Sequence, residues 1–188
     1  EVKLYYEDGH LKAQGTLNTD SLKQGTWKFF YPDGQTSAVE NYANGELDGT
    51  CKYYGFDGKL QSLETWKSGL LHGEAEYYHP TGKLEKEGTY QEGVYEGEWK
   101  FYYEDGTLKR KGEYQLGLPD GAWESYYTDG VLQEKGTYKS GQPHGMFYFY
   151  DEEGRLAYEG AYEQGERVGK WFRYKKNGKK KLFRYQND

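Results

Sequence analysis

The stretch GEWKFYYEDGTLKRKGEYQLGLPD, residues 97–120, is followed at once by GAWESYYTDGVLQEKGTYKSGQPH, residues 121–144. The two segments agree in glycine, aromatic and Asp-Gly placement, and the agreement extends outward in both directions. One glycine series runs Gly25, Gly49, Gly73, Gly97, Gly121, Gly145 and Gly169. A second starts at Gly34 and a third at Gly45, each with the same spacing of 24. A fixed period of this length marks a repeat array, in which each unit buries surface only by stacking on its neighbours. With the first glycine as position 0, the unit reads G-x-W-x-x-Y-x-x-D-G-x-L-x-x-x-G-x-Y-x-x-G-x-x-x. The chain then divides into a degenerate unit at 1–24, six full repeats over 25–168 and a truncated basic unit at 169–188. Residues 1–188 are expected to be one array.

Composition sets the class. Apolar residues make up only 35% of the chain while aromatics reach 19%, so rings rather than aliphatic side chains must carry the burial. Disordered tracts of comparable charge lack those aromatics. No long 3.6-residue periodicity survives the frequent glycines. The expectation is an all-β, single-layer antiparallel β-hairpin solenoid of about 15 strands, without helices. Cys51 is alone, which leaves no partner for an internal disulfide. No apolar run approaches the length of a membrane-spanning helix, and no signal peptide opens the chain. The compartment is unreadable from this, with a lean toward the cytoplasm.

Asp-Gly recurs at positions 8 and 9, as at Asp33, Asp57, Asp105 and Asp129. Between aromatic runs that dipeptide predicts a two-residue type I′ hairpin turn. Position 4 would then face 13, position 2 face 15, position 0 face 17 and position 6 face 11. A four-residue turn around the third glycine would bring 17 opposite 22, and 15 opposite the next position 0. Opposed residues share a face. Positions 0, 2, 4, 6, 11, 15 and 17 therefore form an aromatic side, and the alternate positions a charged one. Tryptophan at position 2 would lie over the glycine at 15. Trp27, Trp99, Trp123 and Trp171 read as core, with Phe147, Cys51 and Ala75 in the same place.

A sheet with one apolar face needs something to cover it, and the unit offers no second element. That face is the candidate partner-binding surface. Its lining would be Phe29, Tyr53, Tyr77, Phe101 and Phe149 at position 4, with Tyr103 and Tyr127 at position 6. Aromatic rings of this kind dominate binding hot spots. Charge adds direction. Residues 165–188 hold nine Lys/Arg against two acids, net +7, which leaves −13 on residues 1–164 out of −6 for the whole chain. An acidic body favours basic partners and disfavours nucleic acid along its length.

The 24-residue unit resembles the MORN repeat. The likeness is carried by YEGEW at 95–99, by His-Gly at 72–73 and 144–145, and by the recurrent YY-x-D-G. The closer resemblance is to the bacterial variant found in YwqK-type antitoxins, and it covers nearly the whole chain. The resemblance implies a non-enzymatic hairpin array that serves as a protein-interaction platform, some members being lipid-binding. It also implies a partner protein, a basic toxin among the candidates. Pairing of two copies over their aromatic faces, or self-assembly, would cover the rings equally well.

The remaining features are weaker. The turn aspartates recur once per repeat, too far apart for paired-carboxylate chemistry. The four histidines offer no shared metal site, and no nucleophile-and-base set or phosphate loop is evident. No cofactor, metal or catalytic residue is expected. Lys175, Lys176, Lys179, Lys180, Lys181 and Arg184 cluster about the last turn. They form an edge-protecting cap or, as an alternative function, a contact for anionic lipid headgroups.

Overall fold

The computed structural model describes residues 1–183. The chain divides into two compact units, Glu1–Val94 and Tyr95–Asp188. The first is built from the strands Val2–Tyr5, Leu11–Leu17, Lys23–Phe30, Thr36–Ala43, Glu46–Leu47, Gly49–Tyr54, Leu60–Lys67, Leu70–Tyr78 and Leu84–Gln91. The second runs from Val94–Tyr102 through Leu108–Gln115, Leu118–Tyr126, Leu132–Lys139, Gln142–Pro143, Gly145–Tyr150, Leu156–Glu163, Glu166–Tyr174 and Lys180–Phe183. Within each unit consecutive strands are antiparallel, and no helix occurs among the described residues.

The glycine frame predicts most of the register. Gly97 pairs with Tyr114, Trp99 with Gly112 and Phe101 with Arg110, which are the 0–17, 2–15 and 4–13 pairs. The same pairs recur at Gly25–Tyr42 and Gly145–Tyr162.

The turns exchange their expected types. The Asp-Gly turn is not a two-residue type I′ hairpin. The Gly106 amide donates to the Tyr103 carbonyl and the Tyr103 amide donates to the Thr107 carbonyl, at 2.9 and 2.8 Å. Gly106 alone takes the left-handed conformation, with φ +89°, and Asp105 does not. This is a type I turn closed by a glycine bulge. The aspartate belongs there because its side chain accepts the amide two residues on. Asp33 accepts from Gln35, Asp57 from Lys59, Asp105 from Thr107 and Asp129 from Val131. The longer turn shifts the register by one, so Tyr102 pairs with Leu108. Position 11 therefore faces position 5, not position 6.

The two-residue type I′ turn lies at the third glycine instead. Leu116 and Gly117 both have positive φ, +52° and +79°, and Gln115 pairs directly with Leu118. Asn44, Ser68, Glu92, Ser140 and Gln164 take the same left-handed conformation. The pair 17–22 holds, as in Tyr114–Pro119, but position 15 then meets the next position 2 rather than the next position 0. The glycine at 0 is the reason. Its positive φ, +112° at Gly121, places an irregularity in the strand there. The same irregularity splits the strand at Asp48 and at His144, which raises the strand count above 15. The extra residue before Gly25 also finds its place. It enlarges that turn so that the Asn18 amide donates to the Leu22 carbonyl, with the Asn18 side chain accepting from Asp20 and Leu22.

These turn carboxylates respond to pH with a defined sign. The backbone amides of Lys59 and His10 hold the carboxyls of Asp57 and Asp8 below their usual range. A depressed folded value adds stability above the unfolded pKa of about 4, which is lost as pH falls through the lowered value. The thermal midpoint should therefore fall on acidification below about pH 4. Asp8→Asn with Asp57→Asn should flatten that limb in a pH series followed by circular dichroism. A double variant as acid-sensitive as the parent would remove these turns from the account.

Candidate functional site

Two transverse rows of side chains run through each unit, and they differ in burial. The row at position 2 is the core. Trp27, Cys51, Ala75, Trp99, Phe147 and Trp171 are each no more than 2% exposed. The rings of Trp27, Trp123, Phe147 and Trp171 each lie on the glycine at position 15 of the hairpin before them. A Cβ at Gly15 would stand 2.3 Å from Trp27, one at Gly112 2.0 Å from Trp123, one at Gly136 2.5 Å from Phe147 and one at Gly160 2.1 Å from Trp171. The indole N–H completes the contact. Trp27 donates to the Thr16 carbonyl, Trp123 to Glu113 and Trp171 to Ala161, at 2.9 to 3.2 Å. That carbonyl follows the glycine, where the ladder changes register.

Where position 15 is not glycine, the next ring is missing. Glu40 precedes Cys51, and Glu64 precedes Ala75. The carboxylates are held by neighbours. Tyr42 donates to Glu40 at 2.5 Å and the Trp66 indole to Glu64 at 3.1 Å. Burial pushes the phenols of Tyr42 and Tyr53 and the thiol of Cys51 up.

This core does not wait for a partner. In the second unit, Tyr114, Trp123, Tyr138, Phe147, Tyr162 and Trp171 follow one another edge to face at 4.9 to 5.9 Å. The tyrosines at position 17 cover the rings at position 2, in the geometry that the ring quadrupoles favour. The expectation that the aromatic side lacks cover from its own chain therefore fails at this row.

The rings at position 4 are half-buried, and the row they form with position 13 is the candidate binding surface. In the first unit it reads Phe29, Ala38, Tyr53, Ser62, Tyr77 and Lys86, each paired to the next. In the second it reads Phe101, Arg110, Ser125, Glu134, Phe149, Tyr158 and Arg173. The pairing thus brings the position-4 candidates of each unit into one line. Tyr103 and Tyr127 lie elsewhere. Their hydroxyls donate to the carbonyls of Tyr126 and Tyr150 in the following hairpins, both at 2.8 Å. Tyr6 and Tyr31 make the same bond to Phe30 and Tyr54.

Sequence reasoning missed the chain's own cations on these rings. The Lys23 ammonium stands 4.6 Å from the Phe29 ring and 4.5 Å from Tyr42, and it donates to the Tyr42 hydroxyl. Lys86 lies over Tyr77, and the Arg110 guanidinium over Phe101, both at 4.3 Å. Lys86 and Arg110 occupy position 13, so the predicted 4–13 pairing carried this signal.

The other face is polar. Tyr126 donates to Glu124 at 2.5 Å, and burial followed by that bond pushes its phenol up to about 12. Glu124 also pairs with Lys111. Lys175, Lys176, Lys179 and Lys181 are exposed at the basic turn. Lys180 instead pairs with Glu159 at 2.6 Å and stands 3.8 Å from the Phe172 ring. Arg184 lies outside the described residues. Among the described residues no three His, Cys, Asp or Glu side chains gather as a metal site. Among the described residues no helix is long and apolar enough to cross a membrane.

The family model described as MORN repeat variant matches residues 1–18, 23–45, 47–68, 71–92, 95–116 and 119–140. Past residue 140 the same pairing continues, with Phe147 opposite Gly160. No curated protein matches the chain. Among solved structures, one match is a chain of "Crystal Structure of TcdB2-TccC3-Cdc42", at 12% identity and a TM-score of 0.23. The match covers 92% of the present chain and 13% of the other.

Proposed function

The chain belongs to the MORN repeat variant family, and from that premise we propose that it is a non-catalytic protein-interaction module whose position-4 row binds a partner protein. The half-buried line of rings is the observation that carries the reading. Phe29, Tyr53 and Tyr77 alternate with the small residues Ala38 and Ser62, and each ring keeps part of its surface at solvent, although Lys23 and Lys86 lie over Phe29 and Tyr77. The fully buried row stands beside this one and holds the large core rings. The acidic body would steer a basic partner. An antitoxin or immunity role of the YwqK type fits that chemistry, with a basic toxin as the partner.

Affinity capture from the source cell, followed by mass spectrometry, tests the reading. Tyr77→Ala and Phe101→Ala should each lower the yield of one basic protein, on the order of tenfold for a hot-spot ring. Thermal midpoints should stay close to the parent's. Capture that ignores both variants, or variants that unfold, would overturn the assignment.

A second reading places the exposed lysines at 175, 176, 179 and 181 on an anionic membrane. Flotation with phosphatidylserine vesicles, lost on charge reversal at Lys179 and Lys181, would support it.

A further inference from the structure

Phe149, like Tyr53, differs from the other position-4 rings in carrying no cation of the chain among the described residues. Phe29, Tyr77 and Phe101 each carry a cation of the chain itself, Lys23, Lys86 or Arg110. The residue that pairs with Phe149 on one side is Glu134 and on the other Tyr158. Glu134 is half-buried and makes no hydrogen bond or ion pair among the described residues. Burial pushes its carboxyl up. Arg110 lies beyond Ser125, two strands off and so roughly 10 Å away. Among the described residues no fully buried side-chain polar atom lacks a partner, so the Glu134 oxygens still reach solvent and can meet an incoming donor. Beyond Phe149 lies a cavity of about 240 Å³ walled by Phe149, Tyr158, Trp171 and Phe183, with Arg167 at its side. That is smaller than the roughly 300 Å³ at which pockets for whole ligands begin, and it suits a single side chain.

We propose that Glu134 and Phe149 together seat one lysine or arginine side chain of a basic partner protein, and that the ring-walled cavity receives the apolar side chain beside it. The inference rests on the partner-binding reading above and names the chemistry that the site selects. A cation there gains the face of Phe149 and a charge-assisted hydrogen bond to Glu134 at once. The rings of Tyr77 and Phe101 show the same arrangement filled from within. Ser125 is small and leaves the approach to Glu134 open.

The test is a titration of the full chain with N-acetyl-Arg-Phe-amide, followed by amide chemical shifts. The expected result is saturable binding with shifts centred on Glu134, Phe149 and Tyr158, and none with N-acetyl-Glu-Phe-amide. Glu134→Gln should weaken binding about tenfold, the worth of one hydrogen bond to a charged group. Glu134→Lys should abolish it, because its own ammonium would lie over Phe149 as Lys86 does over Tyr77. Phe149→Leu should weaken binding while thermal melts report an intact fold. Equal binding of the two peptides, indifference to Glu134→Gln, shifts centred elsewhere, or displacement of the peptide by phosphatidylserine vesicles would each overturn the proposal. A partner protein captured equally by parent and Glu134→Gln would refute the seat and leave the broader reading standing. Selective capture of nothing by the parent would refute the broader reading, while the titration still decides the seat.

Discussion

Trp171→Ala should destabilise the second unit by about 3–5 kcal/mol, the cost of truncating a fully buried ring. The ring is 2% exposed, stands edge to face with Tyr162 at 5.1 Å, and donates its indole N–H to Ala161. Gly160→Ala should also destabilise, by about 1–3 kcal/mol, because the new methyl would stand in the indole. Their combination is the informative variant. With the indole gone, the methyl meets empty space, so the double variant should cost less than the two singles together, by about 1–3 kcal/mol. Urea melts of the four proteins measure this. Singles that add to within about 0.5 kcal/mol would show that ring and glycine do not share one volume.

Cys51→Trp is the mirror image. Cys51 is wholly buried, and Glu40 stands where Gly15 and Gly160 stand behind their rings. An indole forced against Glu40 should cost about 3 kcal/mol, at the upper end for overpacking. Glu40→Gly with Cys51→Trp recreates the arrangement of Gly15 and Trp27. The pair should return to within about 1–2 kcal/mol of the parent, the shortfall being the lost Tyr42–Glu40 hydrogen bond. A pair no better than Cys51→Trp alone would mean that the space around Cys51 is closed by other neighbours.

Both experiments use pairings that the glycine frame makes legible. The positions of Gly97, Trp99, Phe101, Gly112 and Tyr114 suffice to predict which residues oppose each other, because three of the four pairs near the hairpin centre survive in the fold. The turns are less legible. Asp-Gly suits a type I′ pair, and it equally suits the end of a type I turn with a bulged glycine. Asn44-Gly45 at the other end is the stronger type I′ signal, but Leu116, Glu92 and Gln164 obscure it in the other repeats. An irregularity between Phe101 and Tyr102 absorbs the longer turn, so the central register comes out right while the 6–11 pair and the pair of 15 with the next 0 do not. The cover of the position-2 rings by the tyrosines at 17 was out of reach for another reason. It combines contacts within a hairpin, as Trp123–Tyr138, with contacts to the next one, as Tyr114–Trp123, and the pattern within one repeat describes only the first kind.

The Glu40–Cys51 and Glu64–Ala75 exchanges bear on how a repetitive chain finds its place. Identical modules can dock one module out of step with little penalty, and the error then propagates. In residues 1–94 a shift of one module would push the Trp27 indole against a carboxylate, or leave a bare glycine facing a thiol. The odd modules thus act like the irregular teeth of a key: what each forfeits in ring area it returns as a unique alignment of neighbours during assembly.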